Sequence, residues 1–168
     1  MDIEILVGTW LLIGSTSTKS EVEFINKQPD PSGVSKWLDG KSHELIEQIE
    51  LTEGLTLTIT PDGKFTEEKT GNPQMQWFDS EGVCSDVIPF DGKLNFYKSN
   101  FYLIADNIPS WATPINKSSR KKLRYNDGDT KISDSLEIVK ELLIRTVNVV
   151  TDELYLDRVI IAYKKASQ

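Results

Sequence analysis

Residues 55–60 read Leu-Thr-Leu-Thr-Ile-Thr, and the turn sequence Pro61-Asp62-Gly63 follows them directly. Apolar and hydroxyl-bearing residues alternate with a period of two, which is typical of a β-strand with one apolar face. Proline presets the backbone angle φ of a tight turn, and glycine accepts a positive φ. The chain is therefore predicted to reverse here, with residues 64–69 as the partner strand.

Turn signals of the same kind recur three times along the chain, at Asp91-Gly92, at Asn126-Asp127-Gly128 and at Thr151-Asp152. A further turn is predicted at residues 139–141, between two long strand-like runs. Regularly spaced hairpins favour a β-sandwich or a β-barrel. The last third holds three consecutive strand-like runs that exceed the usual length of about five or six residues. Long sequential strands favour an up-and-down arrangement over a Greek key. We therefore predict an all-β fold, an up-and-down antiparallel β-barrel, with residues 1–168 as a single domain.

Two segments interrupt this pattern. Residues 17–50 contain Pro29 and Pro31, and they are predicted to form a short helical or irregular cap after the first strand. Within this cap, Ser42 can begin a helix, although the residues that follow fit the start of a strand as well. Residues 106–119 hold Trp111 between two prolines and are too long for a tight hairpin, so they are predicted to form a rim or lid.

Charge and composition exclude several classes of protein. The 168 residues include 26 acidic and 19 basic side chains, a formal charge of −7, which disfavours nucleic-acid binding. The isoelectric point of about 4.8 argues against electrostatic docking on anionic lipid. No apolar run is long enough for a membrane span, and the start of the chain lacks the basic region of a signal peptide. A cytoplasmic location is expected, and the oligomeric state is left open.

Residues for common catalytic chemistry are sparse. Cys84 is the only cysteine and His43 the only histidine, and neither lies in a recognisable motif. A histidine-ligated metal or a Ser-His-Asp triad would depend on His43 alone. We therefore predict no metal site and no cofactor, and the sequence leaves open whether the protein is an enzyme.

The two ends of the chain resemble known barrel families. The opening Leu6-Val7-Gly8-Thr9-Trp10 is similar to the Gly-x-Trp signature of the lipocalins and to the start of the intracellular fatty-acid-binding proteins. Residues 142–165 resemble the final hairpin of the same calycin group, which ends in an aromatic residue followed by basic residues. The resemblance implies a barrel with a ligand in its interior and a cap between the first two strands.

The resemblance also implies roles for individual residues. Trp10 would close one end of the barrel, with a basic residue from a late strand, Arg145 or Arg158, stacked on its ring. Fatty-acid-binding proteins usually end in Arg-x-Tyr, which holds the ligand carboxylate. Here the corresponding residues are Ile161-Ala162-Tyr163, so the tyrosine is kept and the arginine is replaced. A long-chain fatty acid is accordingly a less favoured ligand.

Strand alternation assigns faces but leaves one choice open. If Tyr163 points inward, Ile161 and Val159 do too, because side chains repeat every second residue. On residues 142–150, either the face with Arg145 or the face with Ile144 lines the interior. We expect the ligand to contact aromatic and polar side chains together with one aliphatic residue: Trp10, Leu12, Trp77, Tyr102, Trp111, Tyr125, Arg145 and Tyr163.

Three functions fit these features. The first is a barrel that binds a small hydrophobic molecule as a carrier or sequestering protein. The second is a cyclase, isomerase or chromophore lyase that acts by confining an apolar substrate in the same barrel. The third is a module with a packed interior and no ligand. Trp111 is the first candidate for a gate at the barrel mouth, and Trp37 in the cap segment is the alternative.

Overall fold

The computed structural model describes residues 2–21, 50–76, 84–86 and 88–167. These residues form twelve β-strands and three single 3-10 turns, the latter at Ile3–Ile5, Ser110–Ala112 and Ser119–Lys121. The strands are β1 (Gly8–Glu21), β2 (Glu50–Leu51), β3 (Leu55–Ile59), β4 (Lys64–Lys69), β5 (Gln74–Gln76), β6 (Cys84–Asp86), β7 (Asp91–Tyr97), β8 (Asn100–Ala105), β9 (Leu123–Asn126), β10 (Thr130–Val139), β11 (Leu142–Thr151) and β12 (Tyr155–Lys165).

Eight of the strands close into a ring. They pair in the order β11-β12-β1-β3-β4-β7-β8-β10, and β10 pairs with β11 to complete the circle. Every pairing is antiparallel. The short strand β2 pairs with β1, β9 extends the edge of β10, and β5 pairs with β6 separately. The predicted all-β, up-and-down antiparallel barrel is confirmed.

The first hairpin forms as the alternation predicts. In β3 the residues Leu55, Leu57 and Ile59 are buried, and the threonines between them are partly exposed. Gly63 adopts a φ of 79°, so the turn uses the freedom that only glycine offers cheaply. The partner strand β4 has the predicted bounds.

The long hairpins near the C-terminus are also present, as β10–β11 and β11–β12. Their turns place Lys140 and Glu141 at φ values of 48° and 67°, and Asp152 and Glu153 both at 54°. Two consecutive positive φ angles match the right-handed twist of the flanking strands. The loop Asn126-Asp127-Gly128 likewise separates β9 from β10, with Gly128 at a φ of 98°.

The predicted turn at Asp91-Gly92 is wrong. Both residues lie inside β7, and the true turn of this hairpin is at Lys98 and Ser99, where φ is positive. A Cβ atom at Gly92 would collide with the carbonyl oxygen of Ile104 and lie 2.9 Å from the Phe65 ring. Glycine is therefore required at this position for close packing of the strand. The sequence alone does not show whether a glycine serves such packing or a turn.

The predicted start of the cap also needs correction. Strand β1 continues through residues 17–21, where it pairs with β12 as far as Glu21 opposite Tyr155. The helix predicted from Ser42, together with Pro29, Pro31, Trp37 and His43, lies outside the described residues. Among the residues that are described, no helix has the length and apolar character needed to cross a membrane.

Candidate functional site

The barrel interior is defined by one face of β11 and β12. Val147, Val149, Val159, Ile161 and Tyr163 belong to one large buried cluster with the apolar faces of β1, β3 and β8. Ile144, Ile160 and Ala162 form a second cluster on the opposite face of the same two strands. The choice that the sequence left open is thereby settled, because Arg145 shares its face with Val147 and Val149 and points into the barrel.

Arg145 is the centre of a polar group inside this apolar barrel. Only 3% of its surface is exposed. Its Nε and Nη2 atoms donate to the two carboxylate oxygens of Asp134, each at 2.8 Å, which is the bidentate geometry of a strong ion pair. Its Nη1 atom donates to Oε1 of Glu67 and, at 3.3 Å, to the hydroxyl oxygen of Tyr163.

Two further residues extend the group. Arg124 donates from Nη1 to Oδ2 of Asp134 at 3.1 Å, and the backbone N–H of Phe90 donates to Oε2 of Glu67 at 3.2 Å. The Phe90 ring lies 4.5 Å from the guanidinium carbon of Arg124 and 5.1 Å from that of Arg145. We call the side chains of Arg124, Arg145, Asp134, Glu67 and Tyr163 the ion cluster.

The ion cluster is electrically balanced. Arg124 and Arg145 supply two positive charges, and Asp134 and Glu67 supply two negative ones. Every buried side-chain nitrogen and oxygen atom in the described part of the chain has a hydrogen-bond partner. The cluster therefore satisfies itself and has no surplus charge to offer a charged ligand.

Burial changes the protonation equilibria of the cluster. Loss of hydration raises the pKa of Glu67 above its ordinary value, and the positive charge of Arg145 only partly offsets this. Burial alone would lower the pKa of Arg145, but the carboxylates of Asp134 and Glu67 raise it well above the ordinary value. Arg145 is thus always charged, while Glu67 takes up a proton more readily than an exposed glutamate.

Tyr163 is the cluster member whose hydroxyl group keeps hydrogen-bonding capacity beyond the contacts of the cluster. It is fully buried, and burial raises the pKa of its phenol, so the hydroxyl keeps its proton at neutral pH. In the described residues this hydroxyl has one hydrogen bond, in which it accepts from Arg145. Its own O–H is therefore available to donate to an oxygen atom of a bound molecule.

Trp10 is buried where β1 pairs with both β12 and β3. Its Nε1 atom donates to the carbonyl oxygen of Leu6 at 2.8 Å, and 2% of its surface is exposed. The cation over its ring is Lys165, whose Nζ atom lies 5.2 Å from the ring centroid. The expectation of Arg145 or Arg158 is wrong, because Arg145 is held by the ion cluster and Arg158 lies on the outer face, bonded to Asn148.

A groove of about 570 Å³ lies at the Trp10 end. It is bordered by the N-terminal turn, the β10–β11 hairpin and the end of β12, with Ile5, Leu142 and Lys164 among its residues. No member of the ion cluster lines this groove, so the two are separate features of the described residues.

The other residues that were predicted to contact a ligand lie in different parts of the molecule. Leu12 is buried in the interior cluster, and its predicted contact with a ligand stays a prediction. Tyr102 alternates with the interior residues Phe101 and Leu103, so it lies on the outer face of β8. Trp111 is 67% exposed and packs edge-on against Tyr125, with ring centroids 5.9 Å apart. Trp77 lies outside the described residues.

Four residues of this site were not predicted, namely Asp134, Glu67, Arg124 and Phe90. For two of them the sequence does contain a signal. Asp134 stands between Ile132 and Leu136 on the apolar face of a strand, and Glu67 follows Phe65 at the same two-residue spacing. A carboxylate at an inward position is costly unless it is paired, so each of these two positions indicates a buried cation nearby.

In its closed eight-strand antiparallel barrel the chain resembles solved fatty-acid-binding proteins. Apo lipid binding protein 8 of Caenorhabditis elegans matches with a TM-score of 0.42 and 12% identity, over 99% of this chain and 99% of that one. Fatty-acid-binding protein 1 of Echinococcus granulosus matches with a TM-score of 0.36 and 11% identity, over 98% and 99%. No protein-family model and no curated protein sequence matches this chain.

Proposed function

We propose that the protein binds a small, uncharged hydrophobic molecule inside its barrel, as a carrier or sequestering protein. The observation that carries this proposal is the ion cluster in an otherwise apolar interior. A buried ion pair contributes little net stability, and well-packed apolar side chains of similar volume often stabilise a fold more. A role in binding accounts for the cluster better than a role in stability. Ligand pockets use a few fixed polar atoms, here with one free donor, to orient a molecule that is mostly apolar.

The balance of charge selects a neutral ligand. A carboxylate placed beside the cluster would be a third negative charge facing two cations that Asp134 and Glu67 already neutralise. Burial of an unpaired carboxylate is strongly unfavourable. The replacement of the expected arginine by Ile161 points in the same direction, because the cation that holds the ligand carboxylate in the resembled family is missing from this position.

The ligand is expected to carry one oxygen atom that accepts a hydrogen bond. Tyr163 would donate to this oxygen, while Val147, Val159 and Ile161 supply apolar walls on the same side of the barrel. Carbonyl compounds and alcohols with long or cyclic apolar bodies meet these requirements. No contact in the described residues favours the cyclase alternative over binding.

The test compares two molecules that differ only in the head group, oleyl alcohol and oleate, by isothermal titration calorimetry at neutral pH. We expect the alcohol to bind more tightly than the acid. The variant Tyr163→Phe should weaken alcohol binding by about fivefold, the effect of one hydrogen bond of roughly 1 kcal/mol. The matched control is Tyr155→Phe, since Tyr155 is half exposed at the opposite end of the same strand.

Two outcomes would contradict the proposal. Tight binding of oleate that is unaffected by Tyr163→Phe would show that the ion cluster does not select the ligand. Failure of both molecules and of smaller neutral probes to bind would favour the third function, a barrel packed with its own side chains.

A further inference from the structure

After Asp106, the segment between β8 and β9 differs in charge from the rest of the chain. Residues 107–122, which we call the basic loop, contain Lys117, Arg120, Lys121 and Lys122 and no acidic residue. All 26 acidic residues therefore lie elsewhere. Because electrostatic interactions at physiological ionic strength are screened over about 8 Å, a surface contact responds to this local charge more than to the net charge of the chain.

The basic loop also exposes large apolar side chains. Trp111 is 67% exposed and Ile115 is 89% exposed, whereas Ala112 and Pro114, which alternate with them, are buried. The buried pair anchors the loop to the barrel, and the other pair points away from it. Two exposed apolar side chains beside four exposed cations form an amphipathic surface.

Hydrogen bonds within the loop hold this arrangement. Asn116 accepts from the backbone N–H of Ser118 through its side chain, at 2.8 Å, and from that of Arg120 through its carbonyl, at 3.0 Å. Arg120 also donates from Nε to the carbonyl oxygen of Pro114 at 2.7 Å. Trp111 is further supported by its contact with Tyr125. The exposed side chains thus project from an ordered backbone.

We propose that the basic loop docks the protein on an anionic lipid surface. Tryptophan prefers the interface between lipid and water, where its ring is buried and its N–H stays solvated. Lysines near such a surface are attracted to its anionic headgroups. Trp111 and Ile115 would enter the interface while Lys117, Lys121 and Lys122 contact the headgroups. The expectation from the overall isoelectric point is thereby revised, because the charges are segregated.

The test measures partitioning of the full-length protein onto vesicles by co-sedimentation. We expect binding to vesicles of phosphatidylcholine with phosphatidylserine, a loss of binding at high salt, and little binding to phosphatidylcholine alone. The triple variant Lys117→Gln, Lys121→Gln, Lys122→Gln should reduce partitioning at least about tenfold. Its matched control is Lys64→Gln, Lys93→Gln, Lys164→Gln, which changes the net charge equally at exposed positions elsewhere and should retain binding.

The apolar contribution is tested with a second matched pair. Ile115→Ala should weaken vesicle binding, whereas Ile88→Ala should not, although Ile88 is exposed to a similar extent at 85%. Brominated acyl chains should quench the emission of Trp111, and Trp111→Phe should abolish that quenching.

The proposal would be overturned if the two triple variants bound vesicles equally, or if Trp111→Phe kept all of the quenching. It would also be overturned if the basic loop bound duplex DNA and not vesicles. These measurements are made without an internal ligand. Absence of vesicle binding would therefore not contradict the proposed ligand site. Absence of ligand binding in the barrel would likewise not contradict the proposed docking surface.

Discussion

The two sides of the barrel are held together differently. On one side, β12 pairs with β1 from Trp10–Lys165 to Glu21–Tyr155, and with β11 along nearly its whole length. On the other side, within the residues that the structure describes, the β7–β8 hairpin pairs with β4 at Lys64–Thr66 alone and with β10 at Ser135 and Leu136 alone. Backbone hydrogen bonds therefore define the first side, whereas side chains must contribute more to closure around the hairpin.

The ion cluster lies where it can make that contribution. Asp134, Arg145 and Tyr163 come from the long strands β10, β11 and β12, while Glu67 lies on β4 beyond the end of its ladder with β7. The hydrogen bond from the Phe90 N–H to Glu67 then spans this gap through a side chain. One network thus connects the strongly paired side of the barrel with the weakly paired hairpin.

The largest expected effect comes from breaking this network at its centre. Asp134→Ala would leave Arg145 and Arg124 buried without their shared partner. Breaking a buried pair in this way costs about 3–5 kcal/mol of the free energy of unfolding, measured by urea denaturation. If the alanine variant does not fold, the free energy of unfolding is measured for Asp134→Asn, which keeps the shape of the side chain but not its charge.

The control for this prediction is an exposed pair between the same strands. Lys131 on β10 and Glu153 in the β11–β12 turn are 3.4 Å apart, with side chains 37% and 81% exposed. Lys131→Ala should change the free energy of unfolding by less than about 1 kcal/mol, because water screens such pairs. Equal effects of Asp134→Ala and Lys131→Ala would refute the structural role of the ion cluster.

A smaller effect is expected in local stability. The β7–β8 hairpin has short ladders on both outer edges and an exposed Phe96, so it should open without the rest of the barrel. Amide hydrogen exchange resolved by peptides should show protection in β7 and β8 at least about tenfold lower than in β11 and β12. Uniform protection around the ring would mean that the difference in pairing has no energetic consequence.

The smallest expected effect concerns pH. Because the pKa of Glu67 is raised in the folded state, the native protein holds more protons than the unfolded chain at pH values above about 4.5. The stability of the wild type relative to Glu67→Gln should therefore fall as the pH rises from about 4.5 through the raised pKa. A stability of the wild type relative to Glu67→Gln that rises with pH over this range would contradict the assigned direction.

Most of the fold could be predicted because local signals suffice for hairpins. The Leu-Thr alternation at residues 55–60 and the turns at Gly63, Gly128 and Asp152 each depend on a few adjacent residues. Gly92 misled the prediction because its role is set by Phe65 and Ile104, which are distant in sequence. The continuation of β1 through residue 21 was missed for the same reason, since its partner is the last strand of the chain.

The candidate site was harder to predict than the fold. Alternation placed Val159 and Ile161 on the same face as Tyr163 and offered two faces for β11, but it did not show which charges meet inside the barrel. Glu67, Asp134 and Arg145 lie on three strands, and only closure of the ring brings them together. The cation on Trp10 was likewise assigned to an arginine, because the register that places Lys165 opposite Trp10 is a tertiary property.

The most direct test of the proposed interior site is methyl NMR of isoleucine-labelled protein titrated with oleyl alcohol. Ile160 and Ile161 are adjacent on β12 and equally buried, at 1% exposure, but they face opposite sides of the barrel wall. A ligand in the interior should shift the Ile161 methyl resonance and give nuclear Overhauser contacts to it, and leave Ile160 unchanged. Shifts at Ile160 and Ile144 with none at Ile161 would place the ligand outside the barrel and contradict the account.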